Sequence, residues 1–198
     1  EKEMTAAREI IAERLSAQPG EIYFTSGGTE SDNIAILGAA HAKKRAGNKI
    51  VTTAIEHPAV LNTMAQLEKE GFEVTYLPVD EDGLISIDDL KNAIKDTTIL
   101  ITIMFANNEI GTIEPIEEAA KIAKEKGITF HTDAVQAIGA VKINVHEMGI
   151  DMLSLSAHKF NGPKGMGALY IRKGLRINNF INGGAQESGR RAGTENTP

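Results

Sequence analysis

Short apolar runs alternate along the chain with stretches in which apolar residues recur at helical spacing. The runs are rich in Leu and β-branched residues, as expected for strands that are buried on both faces. They predict seven strands, over residues 21–25, 49–54, 73–77, 98–104, 128–131, 152–156 and 167–172. Helices are predicted near the start of the chain and over residues 31–46, 59–70, 87–94 and 115–126. This alternation predicts an α/β fold with a mostly parallel central sheet of about seven strands and helices on both faces.

Composition narrows the class of protein. The chain has 198 residues, of which 41% are hydrophobic and 24% charged, typical of a globular domain. Its net charge of −6 does not indicate the basic surface that a nucleic-acid-binding protein needs. It has no apolar run long enough for a transmembrane helix and no signal-peptide pattern at its start. We therefore expect a cytoplasmic protein with neither nucleic acid nor membrane as a partner.

The two ends and the absence of cysteine add two expectations. The sequence begins at Glu1 within a helical pattern and stops at Pro198 after a Gly-rich polar stretch, which predicts a piece of a larger protein. Because the chain has no Cys, it can hold no disulfide, no thiolate metal site and no cysteine nucleophile.

Polar segments follow five of the predicted strands. In an open parallel sheet, ligands bind outside the carboxyl ends of the strands, so one crevice could collect these segments. They are residues 26–30 (SGGTE), 55–58 (IEHP), 105–109 (FANNE), 132–136 (TDAVQ) and 157–159 (AHK).

Most of these segments have a structural interpretation as well as a functional one. Gly28 and Thr29 before a helix fit a phosphate cradle, but they also fit a tight turn between strand and helix. His57 could lie in a surface turn and Asn108 could belong to an ordinary turn. Asp133 could cap a helix. Read singly, these segments favour the structural interpretation.

Lys159 carries a stronger signal, because it directly follows a strand that is expected to be buried. Partial desolvation there would lower the pKa of the amine and make it a Schiff-base nucleophile. The alternative is a solvated loop lysine. Residues 162–167 (GPKGMG) form neither a P-loop nor a dinucleotide fingerprint, since they precede a strand. His131 and Asp133 lack a third ligand at a convincing spacing, so no metal site is predicted.

One cofactor accounts for the five segments together. Pyridoxal phosphate (PLP) requires a Schiff-base lysine, an acid facing the pyridine nitrogen, a group stacked on the ring, a donor to the ring hydroxyl and a phosphate cup. Lys159, Asp133, His57 and Gln136 match the first four needs. The phosphate cup would be formed by Gly28, Thr29, Ser156 and His158.

The same motifs resemble those of the NifS/IscS-type cysteine desulfurases, which are class V enzymes of PLP-dependent fold type I. The matching stretches follow the family order and cover nearly the whole chain. They are residues 25–36 (TSGGTESDNIAI), 55–60 (IEHPAV), 70–83 (EGFEVTYLPVDEDG), 106–116 (ANNEIGTIEPI), 131–139 (HTDAVQAIG), 155–172 (LSAHKFNGPKGMGALYIR) and 189–196 (GRRAGTEN).

The resemblance implies a reaction and a role for each matching residue. It implies a homodimer that converts L-cysteine to L-alanine and passes the sulfur, as a persulfide, to iron–sulfur cluster or thiolation pathways through an acceptor or scaffold protein. Lys159 and His57 are implied to be catalytic, with His57 also stacked on the ring. Thr194 is implied to reach the cofactor phosphate of the partner subunit. The other implied cofactor contacts are Gly28, Thr29, Asn108, Asp133, Gln136, Ser156 and His158.

Departures from the family pattern limit what this chain can do alone. The persulfide-forming Cys and a carboxylate-binding Arg lie further along in the family, and neither region is present in residues 1–198. These residues are expected to form the PLP-binding large domain, incomplete at both ends, without the N-terminal segment or the small C-terminal domain. Ser188 stands where the family commonly has Arg. The alternatives are a selenocysteine lyase or another class V enzyme, a non-catalytic scaffold and, more distantly, a Rossmann oxidoreductase.

Overall fold

A seven-stranded sheet organises the computed structural model, which describes residues 2–195. Its strands are β1 (Ile22–Thr25), β2 (Lys49–Thr53), β3 (Glu73–Leu77), β4 (Thr98–Thr102), β5 (Thr129–Asp133), β6 (Met152–Ser156) and β7 (Gly167–Ile171). The helices are α1 (Lys2–Leu15), α2 (Gly28–Lys43), α3 (Pro58–Lys69), α4 (Ile87–Ala93) and α5 (Ile116–Glu125). Short 3₁₀ turns occupy Pro19–Glu21, Ala157–Phe160 and Gln186–Gly189.

The strands lie in the order β1-β7-β6-β5-β4-β2-β3. The pairs among β2, β3, β4, β5 and β6 are parallel, and β7 runs antiparallel between β6 and β1. Helices α3, α4 and α5 form the crossovers from β2 to β5, and a stretch of turns over residues 134–151 joins β5 to β6. A shorter loop joins β6 to β7 and reverses the chain. The predicted α/β fold with a mostly parallel sheet is therefore confirmed.

Helices pack on both faces of the sheet, because successive side chains of each strand point to opposite faces. Ile50, Leu100 and Met152 pack with the apolar side chains of α2 and α3. The residues that follow them, such as Val51 and Ile101, pack with α1, α4 and α5 on the other face. Burial of both faces explains why these strands read as continuous apolar runs. No helix within residues 2–195 has the length and apolar character needed to cross a bilayer.

Several element boundaries differ from the predictions. Helix α2 begins at Gly28, three residues before the predicted start, because Gly27 is its N-cap. The predicted strand over residues 98–104 ends at Thr102, although the N–H groups of Ile103 and Phe105 still donate to carbonyls of the neighbouring chain segment. Ser86 caps α4 as predicted, since its side chain accepts a hydrogen bond from the Asp89 N–H at 3.1 Å.

A buried ion pair ties α1 to the irregular segment near the end of the chain. Glu187 is 5% exposed, and its two carboxylate oxygens accept from the Arg8 guanidinium at 2.7 and 2.8 Å. The same carboxylate accepts from the Phe24 N–H at 2.8 Å. Arg8 also donates to the Ile22 carbonyl and lies 4.6 Å above the Phe24 ring. Three separate parts of the chain therefore meet at one carboxylate.

Replacing Glu187 by Gln is expected to lower the free energy of unfolding by roughly 3 kcal/mol, because it leaves the Arg8 charge partly buried without its counter-charge. Urea denaturation of the full-length protein measures this change. The control is Asp88→Asn, which breaks an exposed pair with Lys91 and should change stability by less than about 0.5 kcal/mol. A loss below about 1 kcal/mol for Glu187→Gln would show that the pair adds little stability.

Candidate active site

A cleft of about 230 Å³ lies at the carboxyl ends of the parallel strands. Nine of the ten predicted site residues line it: Gly28, Thr29, His57, Asn108, Asp133, Gln136, Ser156, His158 and Lys159. The structure thus gathers segments that are distant in sequence, as the strand-end argument predicts. Four lining residues were not selected by sequence analysis: Asp32, Met104, Ala106 and Val135.

One end of the cleft is built to bind an anion. Gly27 caps α2 with φ 155° and provides no side-chain hydrogen bond to the first turn, so the N–H groups of that turn are free of a capping side chain. A Cβ atom built on Gly28 would lie 2.6 Å from Val135 Cγ2, so the glycine lets the first turn of α2 lie close against the segment that follows β5. Ser156 Oγ and His158 Nδ1, 2.9 Å apart, face the same space. Backbone N–H groups, a hydroxyl and the positive helix end fit a phosphate group.

The other end of the cleft contains a buried acid. Asp133 is 6% exposed, and its Oδ1 accepts a hydrogen bond from the Val135 N–H at 2.9 Å. Burial raises the pKa of this carboxyl, while the Val135 N–H and the charges of His57 and Lys159 oppose that shift. Among residues 2–195 the carboxylate forms no ion pair, so a cationic ring nitrogen in the cleft would supply a missing counter-charge.

His57 has a fixed orientation because it caps α3. Its Nδ1 accepts a hydrogen bond from the Ala59 N–H at 3.1 Å, and Pro58 occupies the first helical position. In the neutral ring, Nδ1 is therefore the acceptor and Nε2 carries the hydrogen. His57 thus lines the cleft with a ring whose Nε2 can donate a hydrogen bond.

The two adjacent asparagines, Asn107 and Asn108, have different roles. Asn107 is buried: its Oδ1 accepts from the N–H groups of Glu109 and Ile110, and its Nδ2 donates to the Ile55 carbonyl at 3.0 Å. Asn107 therefore fixes the loop. Asn108 is exposed and lines the cleft, so its amide is available to a ligand.

Lys159 lies on the 3₁₀ turn that follows β6, at the rim of the cleft. The turn is tight, since the Gly162 N–H donates to the Ala157 carbonyl at 2.8 Å. Sequence analysis predicts a partly desolvated lysine, and in this structure that prediction is wrong, because Lys159 is exposed. No other segment among residues 2–195 buries it.

Glu56, the residue before His57, is a buried acid that the sequence does not reveal. Its Oε1 accepts from the Met104 N–H at 2.8 Å and from Thr53 Oγ1 at 3.0 Å. Its Oε2 is buried and has no partner in the described part of the chain. Burial is the main cause that raises the pKa of Glu56 to about 8. The side chain is therefore neutral over most of the physiological range.

The free energy of unfolding is expected to fall as the pH rises from about 5 to about 8. In this window the unfolded chain has already lost the Glu56 proton, whereas the folded chain retains it, so rising pH favours the unfolded state. Glu56→Gln should reduce the slope by up to about 1.4 kcal/mol per pH unit. Urea denaturation at several pH values measures it. The exposed control Glu117→Gln should keep the slope, and an unchanged slope for Glu56→Gln would contradict the assignment.

Comparison with known proteins establishes the family. The family model for aminotransferase class-V matches residues 1–198. This chain belongs to the aminotransferase class-V family. Enzymes of this family depend on PLP, which confirms the predicted cofactor. The resemblance to NifS/IscS-type proteins is likewise confirmed by the relatives below.

Two relatives in this family are named cysteine desulfurase IscS. The protein of Clostridium botulinum (strain Hall) is 63% identical over 196 residues, covering 99% of this chain and 49% of the relative. The protein of Methanosarcina thermophila is 65% identical over 192 residues, covering 97% of this chain and 48% of the relative. The chain therefore spans about half the length of the curated relatives it matches.

Solved structures of NifS-like and related proteins are similar to this chain in both fold and sequence. A structure described as SspA in complex with cysteine superposes with a TM-score of 0.94 at 49% identity, covering 97% of this chain and 56% of the other. A structure described as a NifS-like protein has a TM-score of 0.94 at 46% identity, covering 98% of this chain and 53% of the other. This class-V chain thus shares the fold of those proteins.

Thr194 is the one predicted site residue that lies outside the cleft. It is exposed and lines a separate cavity of about 170 Å³ together with Phe24, Glu187 and Arg191. Arg191 pairs with Glu30 in the first turn of α2, with nitrogen–oxygen distances of 3.0 and 3.3 Å. Within one subunit, Thr194 is therefore not among the residues that line the cleft.

Proposed function

We propose that this chain is the PLP-binding part of a cysteine desulfurase, which converts L-cysteine to L-alanine and passes the sulfur on as a persulfide. The single observation that carries the proposal is the gathering of Lys159, Asp133, His57 and the anion cradle around one cleft. The names of the close relatives support the choice of reaction within the family. The solved structure described with cysteine supports the choice of substrate.

The cleft fits PLP at both ends. The first turn of α2 would bind the phosphate through backbone N–H groups, with Thr29, Ser156 and His158 adding side-chain donors. Asp133 would accept a hydrogen bond from the ring nitrogen, and the cationic ring would in turn favour the carboxylate form. The side chain of Gln136 would donate to the ring oxygen. The side chain of Asn108 would donate on the substrate side of the cofactor.

The bound cofactor supplies an electron sink for negative charge that develops beside the substrate nitrogen. Lys159 Nζ would hold the cofactor covalently and, once free, would accept and return a proton at the substrate α-carbon. The exposed position of Lys159 leaves this amine free to move. His57 would lie against the ring and assist proton transfer with its Nε2 hydrogen. In the proposed reaction the Cys that takes the sulfur would have to come from outside residues 1–198, since these contain no Cys.

The proposal extends to assembly and location. A homodimer would place Thr194 against the cofactor phosphate of the partner subunit, which agrees with its absence from the lining of the cleft in its own subunit. The proposed location is the cytoplasm, and the proposed protein partner is a sulfur acceptor or scaffold for iron–sulfur clusters or thiolation. The large-domain assignment of residues 1–198 belongs to the same proposal.

The test uses the full-length protein that contains this sequence, loaded with PLP. With L-cysteine and a thiol reductant it should release alanine and sulfide in equimolar amounts. Alanine from selenocysteine but not from cysteine would instead assign a selenocysteine lyase. Cofactor absorbance without alanine from either substrate would assign another class V reaction, and no cofactor absorbance would favour a non-catalytic scaffold.

A further inference from the structure

An acidic side chain lines the hollow that forms the anion cradle. Glu30, in the first turn of α2, shares a cavity of about 380 Å³ with Gly28, Ser156 and His158. Its side chain is only 13% exposed. Lys164 lines the same cavity and adds a positive charge, which an unpaired Glu30 would cancel. A carboxylate is an unexpected group at an anion site, because it repels a phosphate.

Arg191 neutralises this carboxylate from the neighbouring cavity, the one that contains Thr194. The Nε and Nη2 groups of Arg191 donate to the two carboxylate oxygens of Glu30 at 3.0 and 3.3 Å. The Ser26 N–H donates to the same carboxylate. Burial alone would raise the pKa of Glu30, but the hydrogen bonds from Arg191 and Ser26 lower it below its ordinary value. Glu30 is therefore an ionised carboxylate whose charge is balanced by Arg191.

The chain segment that carries Arg191 is also fixed by other contacts. Arg190, the preceding residue, donates to the carbonyls of Ile177 and Leu175 at 3.3 and 3.4 Å. The buried ion pair between α1 and the preceding 3₁₀ turn holds the segment as well. The position of the segment therefore does not depend on Arg191 alone, which leaves the bond to Glu30 with a separate, electrostatic effect on the cradle.

We propose that Arg191 is a specificity residue of the cofactor site, which lets the cradle accept a phosphate dianion by neutralising Glu30. This role depends on the PLP site proposed above. A ligand with a phosphate group gains from the neutralisation, because a negative charge beside the phosphate is balanced. The same ring without a phosphate gains nothing from it. Arg191 therefore favours pyridoxal phosphate over pyridoxal.

The test measures the dissociation constants of PLP and of pyridoxal for the full-length apoprotein, by titration of the absorbance of the bound ring. Arg191→Gln leaves the charge of Glu30 unbalanced beside the cradle. We expect this variant to bind PLP about tenfold more weakly and pyridoxal less than about twofold more weakly. A loss confined to PLP would be a loss of phosphate recognition, since general damage to the cleft would weaken the binding of both ligands.

A second substitution separates the effect of charge from that of structure. Adding Glu30→Gln to Arg191→Gln removes the unbalanced charge, while the amide oxygen of the glutamine can still accept the Ser26 N–H. The affinity for PLP should return to within about threefold of the wild-type value, although the ion pair is still absent. The matched control is Arg172→Gln. Arg172 Nε lies 2.6 Å from Asp151 Oδ1 at the opposite end of the strands, so its loss should change neither affinity.

Three results would overturn the inference. Unchanged PLP affinity in Arg191→Gln would show that the cradle does not need Arg191. Equal losses of PLP and pyridoxal affinity would show that Arg191 maintains the structure of the cleft and does not select for phosphate. A double variant that binds PLP as weakly as Arg191→Gln would show that the charge of Glu30 does not act on the cradle. If the wild-type protein binds no PLP, the proposed function fails instead, and that outcome is recognised before any variant is made.

Discussion

Replacing Lys159 by Ala in the full-length protein is expected to lower turnover of L-cysteine by at least about 10³-fold. It should also abolish fixation of the cofactor by borohydride. Both effects follow if Lys159 Nζ is the amine that bonds to the cofactor and moves the substrate proton. Peptide mapping after borohydride reduction locates the modified lysine in the wild-type protein, and alanine release measures turnover.

Lys173→Ala is the matched control for this experiment. Lys173 is also exposed, but it follows β7, which ends beside the start of β6, at the opposite end of the strands from the cleft. The control should keep both cofactor fixation and turnover. Normal turnover by Lys159→Ala, or borohydride modification at another lysine, would remove Lys159 from the reaction.

Replacing Asp133 by Asn is expected to lower turnover by about 10²- to 10⁴-fold while the protein still folds. Asn has the same shape and can accept the Val135 N–H through its carbonyl oxygen, so the local hydrogen bond survives. It carries no charge, and the ring nitrogen would lose the partner that holds its proton. Alanine release measures turnover, and absorbance titration measures PLP affinity.

Asp88→Asn makes the same chemical change at an exposed site in the first turn of α4 and should leave turnover intact. If Asp133→Asn keeps wild-type turnover, Asp133 is a structural cap of the turn after β5, which is the alternative that the sequence leaves open. A loss of PLP affinity without a loss of turnover at saturating PLP would show that Asp133 contributes to cofactor binding but not to turnover.

The sequence predicts the strands and helices well because burial on both faces leaves a local signature. The strands over residues 73–77 and 152–156 match the structure at both ends. The order of the strands has no such signature, since pairing joins segments that are distant along the chain. The antiparallel placement of β7 between β6 and β1 was therefore not predictable from local periodicity.

Prediction of the site is also limited to features that leave a local signature in the sequence. Nine of the predicted residues meet in the cleft because they end or follow strands, and strand ends can be read from the sequence. Asp32 and Glu56 were not predicted to be buried near the site, because an acidic residue in a helix or loop usually faces solvent. Their burial depends on packing against other segments. The exposure of Lys159 was mispredicted for the same reason, since the path of a turn after its strand is set by tertiary contacts.

The pairing of β1 with β7 also has a kinetic consequence. Ile22 lies opposite Tyr170 in the sheet, so β1, which leads directly into the anion cradle, finds its strand partner only after β7 has been synthesised. Contacts between such distant segments form slowly, because a long loop must close first. Nascent chains that contain only β1 to β6 would therefore lack the ordered cradle. Cofactor capture should consequently be a late event in biosynthesis, after β7 has left the ribosome.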